Sequence, residues 1–367
     1  MGKIKMAKDF TEFWEEELAS HPRPERYGPV WDRAAKLWGH SKGTAKYEIL
    51  IDGDILCYKA ASTTDGKHYI HPETDIKFRY MADAKRWCFL NDKPTTTLET
   101  KYDPEPWEHA RYNLKNQLYN ICLKFEPYIL DGAALRIFLT GILNFRKEIV
   151  STYKESREDD HRPFHLDACK EYLIDEFRAE RVEGLEADDL MGCAAIKKRK
   201  EHHELSYWIV TTDKDLFCIP GNHYNPDTGE EKHTTRLESL HFFYTQLLIG
   251  DQTDNVKGVP GIGPKKADKF LPFDKYTKYK LDQAEWEMYG DVLKQYYDWC
   301  KKELSKDHSD LVDEVILHYA RAMLETNAKQ LWILQEPFVM WEHPRRPDEL
   351  LEPKEAEGKP EEEKKST

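Results

Sequence analysis

An α/β fold with a central, mainly parallel sheet and a C-terminal helical region is predicted by three observations. Short apolar runs at 47–51, 135–139 and 207–210 read as strands. Charged stretches of helical character lie between them, and parallel strands need such crossovers. After residue 247 long helical segments rich in Lys, Tyr and Trp take over. With 367 residues there is room for two domains, each with its own core.

Residues 1–45 have helical periodicity broken by "HPRPERYGP" and read as an N-terminal helical extension. The start, "MGKIKMAKDFTEFWEEEL", lacks an apolar signal core, so a cytoplasmic location is expected. The α/β core is placed at 46–246. Its first strand ends in Asp52-Gly53-Asp54, where Asp54 reads as a helix cap rather than a ligand. Residues 62–104 read as an irregular, inserted surface excursion. Asp103-Pro104 opens a helix to Phe125, with Leu114, Leu118, Ile121, Cys122 and Phe125 on one face. The second strand runs into Thr140-Gly141 and the third into Thr211-Thr212-Asp213. A helical region is placed at 247–343, and the charged tail at 344–367 is expected to be disordered.

Composition narrows the function. Seven cysteines without C-x-x-C spacing argue against a zinc or disulfide framework. No run of about 18 apolar residues exists, so no membrane span is expected. A net charge of −13 disfavours simple coating of nucleic acid by a basic surface, but not an enzyme whose acids hold metal ions.

Four acidic clusters stand out: Asp52 in "LIDGD", Glu186, Asp188 and Asp189 in "GLEADDLMG", Asp213 and Asp215 in "TTDKDLF", and Asp251 and Asp254 in "GDQTDN". Ligand sites in parallel sheets lie beyond the carboxyl ends of the strands, and Asp52 and Asp213 stand there. Each cluster alone also fits a cap, a turn or a solvated face. Together they would hold their protons without a counter-charge, and divalent cations supply one. The stretch "GVPGIGPKKA" lacks the Lys-Ser/Thr of a Walker A loop. Pro264 suits the first position of a helix, which would aim the amides of Gly261, Ile262 and Gly263 at one anion, backed by Lys265 and Lys266. Such a contact reads phosphate rather than base.

Taken in order, "LIDGDILCYK", "NFRKEIVSTYKESR", "GLEADDLMG", "VTTDKDL" and "LIGDQTDNVKGVPGIGPKKA" resemble the 5′-nuclease superfamily of flap endonucleases and 5′→3′ exonucleases, with "NFRKE" and "YKESR" most like its bacteriophage branch. The resemblance covers roughly residues 47–270. It implies a PIN-like core with a helical arch at about 145–172 and a helix–hairpin–helix motif after 247. It implies two Mg²⁺ ions, replaceable by Mn²⁺, and a K⁺ site at the hairpin. Glu186, Asp188 and Asp189 would hold one ion with Asp52 nearby, while Asp213, Asp215, Asp251 and Asp254 support the second. Arg146, Lys147, Lys154 and Arg157 would grip the reacting phosphate, with Lys154 and Arg157 on one helix face, and Tyr153 would stack on a base. Lys59 and Gly258, with the hairpin residues, would contact DNA. The implied activity is two-metal hydrolysis at or near 5′ ends of duplex or flapped DNA, extending to RNA–DNA hybrids, by a monomer in the cytoplasm (of a bacterial host, for a phage protein). Two departures exist: Gly141 stands where the family has a second-strand aspartate, and Tyr58-Lys59 where it commonly has Tyr-Arg. A non-catalytic junction-binding protein on the same fold is the alternative. A haloacid-dehalogenase phosphatase, suggested by "DGD", explains neither the hairpin nor "GDQTDN".

Overall fold

The computed structural model describes residues 45–155, 161–201, 206–304, 306 and 312–347. The expected N-terminal helix, Arg157 and most of the acidic tail lie outside them. The chain divides into two compact units. Within the described residues the first holds 45–145, 161–234 and 333–339, and the second holds 146–155, the described part of 235–332, and 340–347.

The first unit is organised by a six-stranded sheet. Its members are β1 (Glu48–Asp52), β5 (Ala134–Asn144), β6 (Glu180–Gly184), β7 (Tyr207–Val210), β8 (Gly221–Tyr224) and β9 (Glu231–Thr234). Their order is β6-β5-β1-β7-β8-β9, parallel except for β9. All five residues of β1 are buried, as a strand covered on both faces requires. The predicted strands at 47–51, 135–139 and 207–210 are β1, β5 and β7. At the amino ends of the strands, Arg136 grips Glu180 with two hydrogen bonds of 2.6 and 2.7 Å and reaches Glu48 at 3.2 Å, tying the starts of β5, β6 and β1 together.

At its carboxyl end β1 runs directly into α1 (Gly53–Ser62). A Cβ on Gly53 would lie 2.7 Å from Ile137 Cγ2 and 2.8 Å from Phe138 O, so only glycine lets this helix start against β5.

The stretch 62–104 is not irregular. It forms a three-stranded antiparallel sheet of β2 (Lys67–His71), β3 (Ile76–Phe78) and β4 (Glu99–Tyr102), with α2 (Met81–Leu90) against it. Its polar strands carry no apolar run, which hid them. Asp65 fastens this insertion to residues 161–164. Its carboxylate accepts from the Phe164 amide at 3.0 Å and lies 2.8 Å from His161 Nε2, while Tyr102 stacks on the His161 ring at 3.6 Å. The predicted helix to Phe125 is α3 (Trp107–Lys124), burying Leu114, Leu118, Ile121 and Cys122. Short α4 (Glu126–Leu130) leads into β5.

The expected arch is not one helix among the described residues. It comprises α5 (Phe145–Ile149), turns to residue 155, and, from 161, the lead into α6 (Leu166–Phe177). α7 (Ala187–Glu201) follows β6. The second unit contains α8 (Arg236–Ile249), α9 (Pro264–Phe270), α10 (Leu281–Leu304) and α11 (Asp313–Leu331). Its division from the first unit falls at 234/235 rather than 246/247, because α8 is one helix started by a capping box of Thr235 and Glu238.

Candidate metal centre

In the first unit the acids gather at the carboxyl ends of β1 and β7. Asp52, not Asp54, caps α1: its Oδ1 accepts from the Ile55 amide at 3.3 Å. Thr211 donates its hydroxyl to Asp52 Oδ2 at 2.9 Å, and Thr211 Oγ1 itself accepts from the Asp213 amide at 3.0 Å. Asp213 Oδ1 in turn accepts from the Asp215 amide at 2.9 Å, so "TTDKD" is an ordered relay of short bonds. Burial, then the charges of Asp54 and Asp213, push the Asp52 carboxyl up to about 7, against the opposing Thr211 and Ile55 hydrogen bonds.

Asp54 has a structural post. Its Oδ2 accepts from the Thr140 amide at 2.8 Å, and Oδ1 pairs with Lys170, which ties α1 to β5 and α6. Beyond Thr140, β5 bulges against β6. A Cβ on Gly141 would lie 2.5 Å from Val182 O and 3.0 Å from Glu183 Cα. The carboxylate missing at this place therefore has no room on this backbone, and Glu183 instead accepts from the Ile142 amide at 2.9 Å.

Glu186, Asp188 and Asp189 open α7. Glu186 is buried and Asp188 half-buried. Asp189 is fully buried, and both of its oxygens accept backbone amides: Oδ2 from Glu186 at 3.2 Å, Oδ1 from Leu334 at 3.0 Å. These two bonds fix the Asp189 carboxylate to the backbone, so of the three acids it is the one most firmly held by the protein itself.

Among the described residues, no three His, Cys, Asp or Glu side chains form a group that could hold a metal ion. Mg²⁺, however, takes one or two carboxylates and completes its shell with water and substrate phosphate. Asp52 and Asp213 fit that demand: they stand at the carboxyl ends of the paired strands β1 and β7, joined through the Thr211 hydroxyl.

In the second unit the predicted residues have other work. Arg146 is 2% exposed, with Nε 2.9 Å from Gln330 O and Nη2 2.6 Å from Trp332 O. It caps the last carbonyls of α11, where a cation is favoured, and does not grip phosphate. Tyr153, also 2% exposed, donates its hydroxyl to Asp254 Oδ2 at 2.8 Å, which rules out stacking on a base from this position. Lys154 has a left-handed backbone (φ 57°) in a turn and is not helical, while Arg157 lies outside the described residues. Lys154 Nζ lies 3.5 Å from Asp254 Oδ2 and its amide donates to Asp254 O at 3.1 Å. Asp251 Oδ1 accepts from the Thr253 and Asp254 amides at 2.6 and 3.2 Å, an Asx-turn. Lys147 is exposed, as is Lys59 of the first unit, which pairs with Asp227.

The hairpin is split in role. Gly258 is buried: a Cβ there would meet Gly250 N at 2.4 Å and Leu248 O at 2.6 Å, so it closes the loop rather than meeting DNA. The Ile262 amide donates to Val259 O at 3.0 Å and is not offered to an anion. Gly261 (φ 83°) and Gly263 face open space, Pro264 takes the first helical position, and Lys265 and Lys266 are exposed, with Lys266 Nζ 2.7 Å from Gly261 O.

Comparison with known proteins points one way. Residues 110–238 match the model of the 5′-3′ exonuclease N-terminal resolvase-like domain. The thermostable DNA polymerase I of Thermus thermophilus is 32% identical over 213 residues, 52% of this chain and 25% of that protein. The exodeoxyribonuclease of Enterobacteria phage T3 is 26% identical over 195 residues, 50% of this chain and 63% of that protein. The chain spans about a quarter of the length of the DNA polymerases it matches. Among solved structures, T5 5′-exonuclease with divalent metal ions (zinc) aligns at 17% identity over 77% of this chain and 99% of that one, with a TM-score of 0.39, too loose to carry over geometry. The likeness to 5′-nucleases carried by the motifs is borne out by these matches, of which the one to the 5′-3′ exonuclease N-terminal resolvase-like domain spans residues 110–238.

Proposed function

We propose that this chain is a divalent-metal-dependent 5′-nuclease, hydrolysing phosphodiester bonds at or near 5′ ends of duplex or flapped DNA, and of RNA–DNA hybrids. The observation that carries the reading is the Asp52 carboxyl, buried at the end of β1, linked through Thr211 to Asp213 and pushed up to about 7 within this family's fold. Asp52, Asp213, Asp215, Glu186 and Asp188 are the residues that would hold Mg²⁺ or Mn²⁺. When bound, such an ion supplies a nucleophilic water and neutralises charge on the phosphate. Asp251 and Asp254 would hold a second ion once their bonds to the 251–254 turn, Tyr153 and Lys154 were exchanged or bridged by water.

The chain's own residues do the rest. Thr211 holds Asp52 in one orientation, and Asp54 with Lys170 fixes the start of α1 beneath it. Lys154 and Lys147 are the cations proposed to meet the phosphate. Gly261, Gly263, Lys265 and Lys266 are proposed to hold the duplex backbone without reading sequence, with K⁺ at the hairpin. The protein acts as a monomer in the cytoplasm.

The test is digestion of a 5′-labelled duplex and a flapped duplex with Mg²⁺ and with EDTA. Asp188→Ala is expected to abolish cleavage and leave DNA binding intact; retained turnover overturns the metal assignment. Charge reversal at Lys265 and Lys266 should lower the salt slope of DNA binding by roughly 2. Gly141, which leaves the end of β5 without a carboxylate, favours one second reading, a junction-binding protein without catalysis, which DNA binding without cleavage in Mg²⁺ or Mn²⁺ would support.

A further inference from the structure

We infer that residues 333–336 form a strap that positions the acidic turn opening α7, and that Asp189 is the residue through which it acts. This rests on the metal reading above and assigns Asp189 a positioning part in it.

Asp189 is the third residue of α7, and Glu186 is the residue before the helix begins. An acid at that third position reaching back to the preceding backbone N–H is half of a capping box, and the 3.2 Å bond from Glu186 N to Asp189 Oδ2 is that half. The other oxygen is taken from far along the chain, by the Leu334 amide at 3.0 Å. One buried carboxylate thus joins the first turn of α7 to a segment 145 residues away.

The helix is shaped to receive that segment. A Cβ on Gly192 would lie 2.5 Å from Leu334 O and 2.8 Å from Ile333 Cγ2, so the strap lies against bare backbone. On the next residue, the Cys193 thiol donates to Leu334 O at 3.5 Å, and Lys200 pairs with Glu336 at 2.5 Å near the helix end. Ile333 and Leu334 are both buried. The strap therefore runs beside α7 and meets the acidic turn at its start, where Glu186 and Asp188 are carried. Groups that hold ligands in place weaken metal binding by about 10–100-fold when removed, and Asp189 is placed to be such a group.

Mn²⁺ affinity of the full chain, measured by calorimetry in the absence of DNA, tests this. The Leu334 amide is replaced by an ester, using leucic acid at that position, which deletes the N–H and keeps the side chain; Gly192→Ala displaces the strap independently. Each is expected to weaken Mn²⁺ binding by roughly tenfold, with a single cooperative melt retained. Asp189→Asn should do the same, and combining it with the ester should add less than about a twofold further loss, since both act on one bond. Mn²⁺ affinity unchanged in the ester and Gly192→Ala chains overturns the proposal, as do multiplicative losses in the double variant. Loss of all Mn²⁺ binding in Asp189→Asn, to the level of Asp188→Ala, also overturns it, because Asp189 is then a ligand. If the unaltered chain binds no Mn²⁺, the underlying metal reading falls and the strap's role with it.

Discussion

The acids after β1 and β7 and the acids of the 251–254 loop look alike in sequence but are used differently. In the first unit Asp52 lies buried with Asp54 and Asp213 as neighbours, and its carboxyl rises to about 7. In the second unit Asp251 is occupied by two amides of its own turn, and Asp254 by Tyr153 and Lys154. The difference is not the number of donors, since Asp52 also takes one on each oxygen, from Ile55 and Thr211. It lies in what surrounds the acid: Asp254 has a lysine beside it, whereas Asp52 is buried with two further acids as neighbours. Burial among like charges, more than the spacing of the acids, marks a place for a cation.

Four substitutions sharpen or break this comparison. The largest effect is expected from Asp52→Asn in EDTA. The folded chain keeps a proton on Asp52 between about pH 4 and 7 while the unfolded chain does not, so stability falls as pH rises through that window. Asparagine can still cap α1 and carries no charge, so the variant should exceed the parent above pH 7 by roughly 4 kcal/mol and match it below pH 4. His223, which burial pushes down to about 4, acts in the opposite sense in both chains, with stability rising between about pH 4 and 6.5, and cancels in the difference. Urea titrations at several pH values give the answer, and parallel curves for the two chains would break the contrast. Mg²⁺ should narrow the gap by stabilising only the parent.

Next comes Gly250→Ala, which tests how tightly the second loop is closed. Gly250 has φ 77°, and a Cβ there would sit 2.3 Å from Val256 O. A loss of roughly 3 kcal/mol in thermal unfolding is expected. Tyr153→Phe should cost about 1 kcal/mol by removing the donor to Asp254, read in the same melts. Thr211→Val should have the smallest effect on stability, within about 1 kcal/mol. It should nevertheless raise the Asp52 carboxyl further, visible as an upward shift in the pH at which the Asp52→Asn difference levels off.

The buried strands were legible and the polar ones were not. Glu48–Asp52 and Tyr207–Val210 announce themselves as apolar runs ending in acids, because both faces are covered. The edge strands "ERVEG" and "EKHT" are largely solvent-facing, and "GNHY" is short and mostly polar though covered, so pairing rather than hydrophobicity defines them. The insertion sheet was missed for the same reason. At the site, Asp52 and Asp213 could be read from their places after strands. The burial of Arg146 under the last turn of α11 could not, because its partners are backbone carbonyls nearly two hundred residues on. Nor could the link from Asp189 to Leu334, which leaves no side-chain signature at position 334.

Gly192 sets a trap for anyone improving this protein by helix propensity alone. It sits inside a 15-residue helix, where alanine is ordinarily favoured over glycine by about 1 kcal/mol. A stability screen on an isolated α7 peptide would select that exchange. In the intact chain the same methyl group would press on the carbonyl of Leu334, so the residue that is weakest for the helix is the one its neighbour requires.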